Sequence, residues 1–146
     1  MKIHLATDHA GYALKEYIKG ILIEEGHEVI DHGADVVDAS DDYPDFVIPA
    51  AQAVVMEGND SFAFVFGGSG TGEAIAANRI PRVRAAVYYG GNLDIVRLAR
   101  EHNNANVLSI GARFVSEQEA EAAVITFLAT PFSGDERHVR RINKIG

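Results

Sequence analysis

The chain has 146 residues with 13 basic and 21 acidic side chains, a net charge of −8, 47% hydrophobic residues and no cysteine. That length and apolar content suit one domain, residues 1–146, with a real core, and exclude a disordered or fibrous chain. The acidity argues against nucleic acid or an anionic membrane as partner, since those surfaces need dense Lys/Arg patches, and the lack of thiols removes disulfides, thiolate metal sites and a cysteine nucleophile. In chain order, strands are expected at 3–7, 28–31, 62–66, 85–89 and 107–110, where short apolar runs end in polar or glycine-rich turns. Helices are expected at 11–25, 44–57, 71–79, 92–102 and 116–129, with a last one after Gly134. In the first of these, Leu14, Tyr17, Ile18, Ile21 and Leu22 recur at helical spacing and Gly26 stops the helix. Strands alternating with helices predict a three-layer α/β/α, Rossmann-like domain, its five-stranded parallel sheet in the order 2-1-3-4-5, with a C-terminal helical tail. The stretch from Gly33 to Pro44, with Asp35, Asp38, Asp41 and Asp42, reads as a solvated loop, because calcium-loop spacing is absent. No apolar run near Met1 is long enough for a secretory signal or a membrane span before Asp8 and His9 interrupt it, so the expected location is the cytoplasm.

The strongest local signal is Gly67-Gly68-Ser69-Gly70-Thr71-Gly72-Glu73, directly after the third strand. Four glycines let the backbone approach a ligand, and the helix that follows points free N–H groups at it, which makes an anion hole. It is neither a dinucleotide fingerprint nor a P-loop: no register gives G-x-G-x-x-G, and no Lys follows Gly72. A second loop, Asp8-His9-Ala10-Gly11, follows the first strand. Strands one and three meet at the switch point of the sheet, so Asp8, His9, Ser69 and Glu73 should share one crevice. Asp8 also suits a helix N-cap, and Glu73 also suits the first turn of a helix on dipole grounds alone. A Glu beside an anion hole is what proton removal next to a carbonyl requires: a base for the proton and donors for the oxyanion.

Arg100-Glu101-His102-Asn103 lies just before the fifth strand, at the sheet end opposite that crevice, so His102 can join it only from another subunit. From Ser133 onward, Arg137, Arg140, Arg141 and Lys144 outnumber Asp135 and Glu136, a net +2 in a chain of −8. Arg137 and Arg141 share a helical face and form a fork suited to a phosphate monoester, and Arg113 could add a third cation. The histidines show no paired ligand spacing, so no metal is expected. A nucleotide-binding module that performs no chemistry would explain the glycine loop but not Glu73 or His102.

In these motifs the chain resembles the B-type ribose-5-phosphate isomerases, grouped with the bacterial galactose-6-phosphate isomerase subunits. The resemblance spans essentially the whole chain and is carried by Asp8-His9-Ala10-Gly11, Asp42-Tyr43-Pro44, Gly68-Ser69-Gly70-Thr71-Gly72, Ile75-Ala76-Ala77-Asn78, Arg100-Glu101-His102-Asn103, and Arg137 with Arg141. It implies a homodimer, or a tetramer built from such dimers, with shared sites that interconverts an aldose phosphate and a ketose phosphate through an enediolate, without metal or other cofactor. Position by position, it implies that His102 opens the furanose ring, that Asn103, Asp8 and His9 contact the sugar, and that Gly68, Ser69, Gly70, Thr71 and Gly72 form the enediolate hole. Arg113, Arg137 and Arg141 would hold mainly the phosphate. Some members use a cysteine as base at the position of Gly67, whereas a branch resembling the actinobacterial enzymes has a glutamate at the position of Glu73, which makes Glu73 the expected base. The expected substrates are ribose 5-phosphate and ribulose 5-phosphate; galactose 6-phosphate, allose 6-phosphate or a tetrose phosphate would use the same chemistry.

Overall fold

In the computed structural model, which describes residues 1–146, the elements follow as β1 (Lys2–Thr7), α1 (Tyr12–Glu24), β2 (Glu28–Asp31), α2 (Pro44–Glu57), β3 (Ser61–Gly67) and α3 (Thr71–Asn78). The second half adds β4 (Ala85–Tyr88), α4 (Asp94–Glu101), β5 (Val107–Gly111), α5 (Glu117–Ala129) and α6 (Glu136–Ile145). A 3-10 turn over His9–Gly11 joins β1 to α1. All strand pairs are parallel and the helices cover both faces, as expected. No helix is long and apolar enough to cross a membrane.

The sheet order is β2-β1-β3-β5-β4, which corrects the expected 2-1-3-4-5 in its last two strands. Ala63 of β3 registers with Val107 of β5, and β4 pairs on the far side of β5. The burial of the two strands follows: every β5 residue is buried, whereas the edge strand β4 keeps Ala85, Ala86 and Val87 only half-buried. For the site, this exchange brings the end of β5, and with it Arg113, beside the glycine loop that ends β3.

Alternation along β3 divides the core. Phe62, Phe64 and Phe66 face α1, α4 and α5, where Phe127 meets Phe62 and Phe64 edge-on at centroid distances of 5.7 and 5.4 Å. Ala63 and Val65 face α2 and α3, where Ala50, Ala51 and Val54 allow close helix-to-sheet packing. Burying each Phe contributes roughly 1.5–3 kcal/mol, so the aromatic face is the heavier anchor.

The loop after β2 is fastened by a fully buried lysine. Lys15 Nζ donates to both Asp31 carboxylate oxygens and to the Ala34 carbonyl, each at 2.8 Å. Burial pushes the Asp31 carboxyl up, but hydrogen bonds from Lys15, the Gly33 N–H and Lys19 outweigh it and hold it below its ordinary value. Thr7 and Ala34 add backbone bonds across the turn, so residues 33–43 leave the sheet in a fixed direction, towards the end of β1.

Candidate active site

Where β1 and β3 end, a cavity of about 410 Å³ opens between their two loops. Asp8, His9 and Ala10 line it from one side, Gly68, Ser69, Gly72 and Glu73 from the other, with Arg113 and Tyr43 at its margins. This is the crevice expected at the switch point, and it gathers Asp8, His9, Ser69 and Glu73 as the sequence suggests.

Gly70 begins α3 in the left-handed region, at φ 80°, where a side chain would be strained. Ser109 Oγ donates to the Gly70 carbonyl at 2.6 Å, and the Ala112 and Arg113 N–H groups donate to the carbonyls of Gly67 and Gly68 at 2.7 and 3.1 Å. These bonds turn the loop's carbonyls towards β5. No side chain caps α3 beyond a 3.3 Å contact from the Thr71 N–H to Ser69 Oγ, so the first-turn N–H groups serve the crevice.

Glu73 is only 4% exposed. Burial raises its pKa above the ordinary carboxylate value; its own backbone N–H pulls it down, and the charge of Asp8 pushes it further up. A carboxyl moved towards neutrality in this way is a better proton acceptor when ionised and still a competent donor when protonated.

Asp8 does serve as the expected cap, its carboxylate accepting from the Ala10 N–H at 2.9 Å. The 33–44 loop, in contrast, is not simply solvated: Asp41 Oδ1 accepts from the His9 N–H at 3.1 Å and from His9 Nδ1 at 2.7 Å. Its Oδ2 is buried without a hydrogen-bond partner. Asp41 thereby holds the imidazole over the crevice with Nε2 free, and this bond raises the His9 pKa against the opposing pull of burial, with Asp8 adding to the rise and Arg113 subtracting from it. Asp8, His9 and Asp41 bring three ligand-type atoms within 4.8 Å of one another, but Asp41 and His9 already bind each other. Neither Asp41 nor Tyr43 is evident as a site residue from the sequence; the Tyr43 hydroxyl lies where a side chain on Gly72 would stand. The available signal was the Asp42-Tyr43-Pro44 motif, which contains Tyr43 and directly follows Asp41.

Asp41→Asn should lower the His9 pKa, measured by NMR titration of the imidazole. His9 would then lose its charge at lower pH, so substrate affinity should weaken several-fold at pH 7–8 while turnover of bound substrate persists. An unshifted His9 titration would refute the role given to Asp41.

The profile of the Ribose/Galactose Isomerase family matches residues 3–145. The chain belongs to this family. Ribose-5-phosphate isomerase B of Mycolicibacterium paratuberculosis is 47% identical over 143 residues, spanning 98% of this chain and 88% of the relative. The crystal structure of ribose-5-phosphate isomerase B from Mycoplasma genitalium with bound ribulose-5-phosphate superposes with a TM-score of 0.93 at 39% identity, covering 99% of this chain and 93% of that one. Ribose-5-phosphate isomerase B from Clostridium thermocellum gives a TM-score of 0.93 at 44% identity, covering 100% and 95%.

In this chain the pairing of Gly67 with Glu73 has a steric basis. A Cβ on Gly67 would overlap the Glu73 carboxylate, so the volume that a side chain at 67 would enter already holds the carboxylate. The remaining site candidates lie elsewhere. His102 caps the C-terminal end of α4, before the start of β5, and its ring stacks on His138 at 4.2 Å and 30°. Ser133 Oγ lies 3.0 Å from His138 Nδ1, and burial, the charge of His102 and the charge of Arg137 keep the His138 pKa low. Asn103, Arg137 and Arg141 are exposed, the two arginines close enough to His138 for their charges to lower its pKa. None of His102, Asn103, Arg137 and Arg141 lines the Glu73 cavity, as their position before β5 and in the tail leads one to expect.

Proposed function

We propose that the chain interconverts ribose 5-phosphate and ribulose 5-phosphate as a cytoplasmic homodimer of one-domain subunits, each crevice completed by His102, Asn103, Arg137 and Arg141 of the partner subunit. The partner's His102 moves the proton that opens the furanose ring. Glu73 then takes the proton from C2 of the open aldose, and the C1 carbonyl oxygen becomes an oxyanion held by Ser69 and the N–H groups of residues 68–72. The same carboxyl returns the proton to C1, the O2 hydroxyl proton passes to O1, and a ketone remains at C2. Asp8 and His9 hold the sugar, while Arg113 and the partner's Arg137 and Arg141 hold the phosphate. No metal or organic cofactor takes part in this scheme.

The carrying observation is a buried carboxyl of raised pKa at an uncapped helix N-terminus. The ribulose-5-phosphate bound by the Mycoplasma genitalium relative supports the choice of substrate. A complementation experiment tests the whole scheme by following deuterium from solvent into C1 and C2 of these sugars by NMR, with a chelator present. With ribose 5-phosphate supplied as the closed furanose, wild-type protein should exchange, and Glu73→Gln and His102→Ala should each be nearly inert. Mixed and reassorted, the two variants should regain roughly a quarter of wild-type exchange, because half of the dimers are mixed and each holds one intact site. Mixed dimers without recovery would refute the shared site, and wild-type exchange confined to a different sugar would change the substrate.

A further inference from the structure

At the opposite end of the sheet a second cavity, of about 280 Å³, opens between the end of α2 and the turns that lead into β4 and β5. Val54 and Phe62 form its apolar floor, and Arg82, Arg84, Asn104 and Asn106 form its polar wall. No carboxylate lines it. The Arg84 guanidinium is held by carbonyls alone: Nε donates to Asn104 O at 2.9 Å and Nη1 to Arg82 O at 3.1 Å, which leaves Nη2 unused. Behind it Arg100 is likewise held by neutral groups, Nη1 donating to Asn104 Oδ1 at 3.0 Å and to Ala105 O, and Nε to Thr130 O at 3.1 Å. Burial lowers the pKa of both guanidiniums, and Arg84 repels Arg100. Glu57, a few residues away on α2, is already engaged by His4, Ser61 and Lys2.

The backbone here is also unusual. Arg82 at φ 72° and Asn104 at φ 47° are the only two non-glycine residues in the left-handed region, and both stand on this wall with their carbonyls on Arg84. Such conformations cost energy and persist where the surroundings enforce them. Asn106 does so, its Oδ1 accepting from the Arg84 N–H at 2.8 Å and its Nδ2 donating to Arg82 O at 3.1 Å. The result is a fixed guanidinium with Nη2 free, and the unpaired Arg82 side chain stands beside it, in a chain of net charge −8. Free guanidinium N–H groups donate well to the oxygens of a phosphoryl group.

The geometry points to a second anion site here, separate from the Glu73 crevice, that takes a small phosphorylated molecule through Arg82, Arg84 and the side-chain amides of Asn104 and Asn106. The phosphoryl oxygens supply the negative charge that Arg84 and Arg100 lack within the chain, and the apolar floor accepts a short carbon skeleton. The site stands independently of the isomerase proposal.

Inorganic phosphate titrated into ¹⁵N-labelled protein provides the test. The backbone amides of residues 82–84 and 104–106 and the Asn106 side-chain amide should shift saturably, and should do so equally in Arg113→Ala, where phosphate binding in the crevice is weakened. Arg82→Ala should weaken the response about tenfold, the loss expected for a charge-assisted contact, with isomerase turnover unchanged. The Arg82 side chain is exposed and only its carbonyl braces Arg84, so this variant keeps the fold. Absence of a saturable shift at 82–84 and 104–106 would overturn the site, and so would an identical response in Arg82→Ala.

Discussion

Glu73→Gln should lose about 10²- to 10⁴-fold in turnover and nearly all C2 proton exchange, yet melt at a higher temperature than the wild type. Gln keeps the shape of the side chain and cannot accept the proton, so the activity loss isolates base catalysis from packing. The stability gain follows from burial. Glu73 has a folded-state pKa above its unfolded value, so the folded chain binds that proton more tightly, and ionisation between the two values costs stability. At pH 8 the wild type bears that cost and the variant does not. Lowering the pH below the ordinary carboxylate value protonates Glu73 in both states and should close the gap. For a chain of this size, each ~1 kcal/mol appears as roughly 3 °C in melting temperature, well within reach of calorimetry. Wild-type exchange in the variant would remove Glu73 from the base role, whereas a melting temperature at pH 8 no higher than that of the wild type would show that ionised Glu73 is no burden to the fold.

The contrast between Glu73 and Asp41 shows what a sequence discloses of such a site. Glu73 was legible because its neighbours in the chain are its neighbours in space: glycine loop, helix start and carboxyl lie within seven residues. His102 was legible as a distant group for a related reason, since a residue just before a parallel strand must lie opposite the strand ends that form the crevice. Asp41 depends on three remote facts at once: Lys15 buried on Asp31, the turn at Gly33 and Ala34 bonded to Thr7, and the resulting path of the loop over His9. Nothing local separates it from the aspartates around it that remain exposed. The order of β4 and β5 failed for the same cause. Both are short apolar runs, and which of them lies beside β3 is decided by how much of each the helices bury, a property of the assembled layers. The strands and helices themselves carried their own periodicity and needed no such information.

Gly67→Ala should be nearly as damaging to turnover as loss of Glu73 itself, although it adds a single methyl group. Gly67 has no left-handed backbone requirement, so the obstacle is space alone: the new Cβ would stand in the Glu73 carboxylate. The buried carboxylate must then rotate off its position, and displacement of a reacting group by about 1 Å costs on the order of 10²-fold in rate. Substrate affinity, which the proposed scheme assigns mainly to the arginines and His9, should change far less. The same geometry predicts a trade. Gly67→Cys alone should be poorly active, because thiol and carboxylate compete for one volume, and Glu73→Ala alone should be inactive. Together, Gly67→Cys and Glu73→Ala place a thiol where the carboxylate was removed, and exchange at C2 should partly return, now sensitive to thiol alkylation. Full turnover in Gly67→Ala would show that the Glu73 carboxylate is not confined where the structure places it. Recovery in the double variant that survives alkylation would show that another group moves the proton.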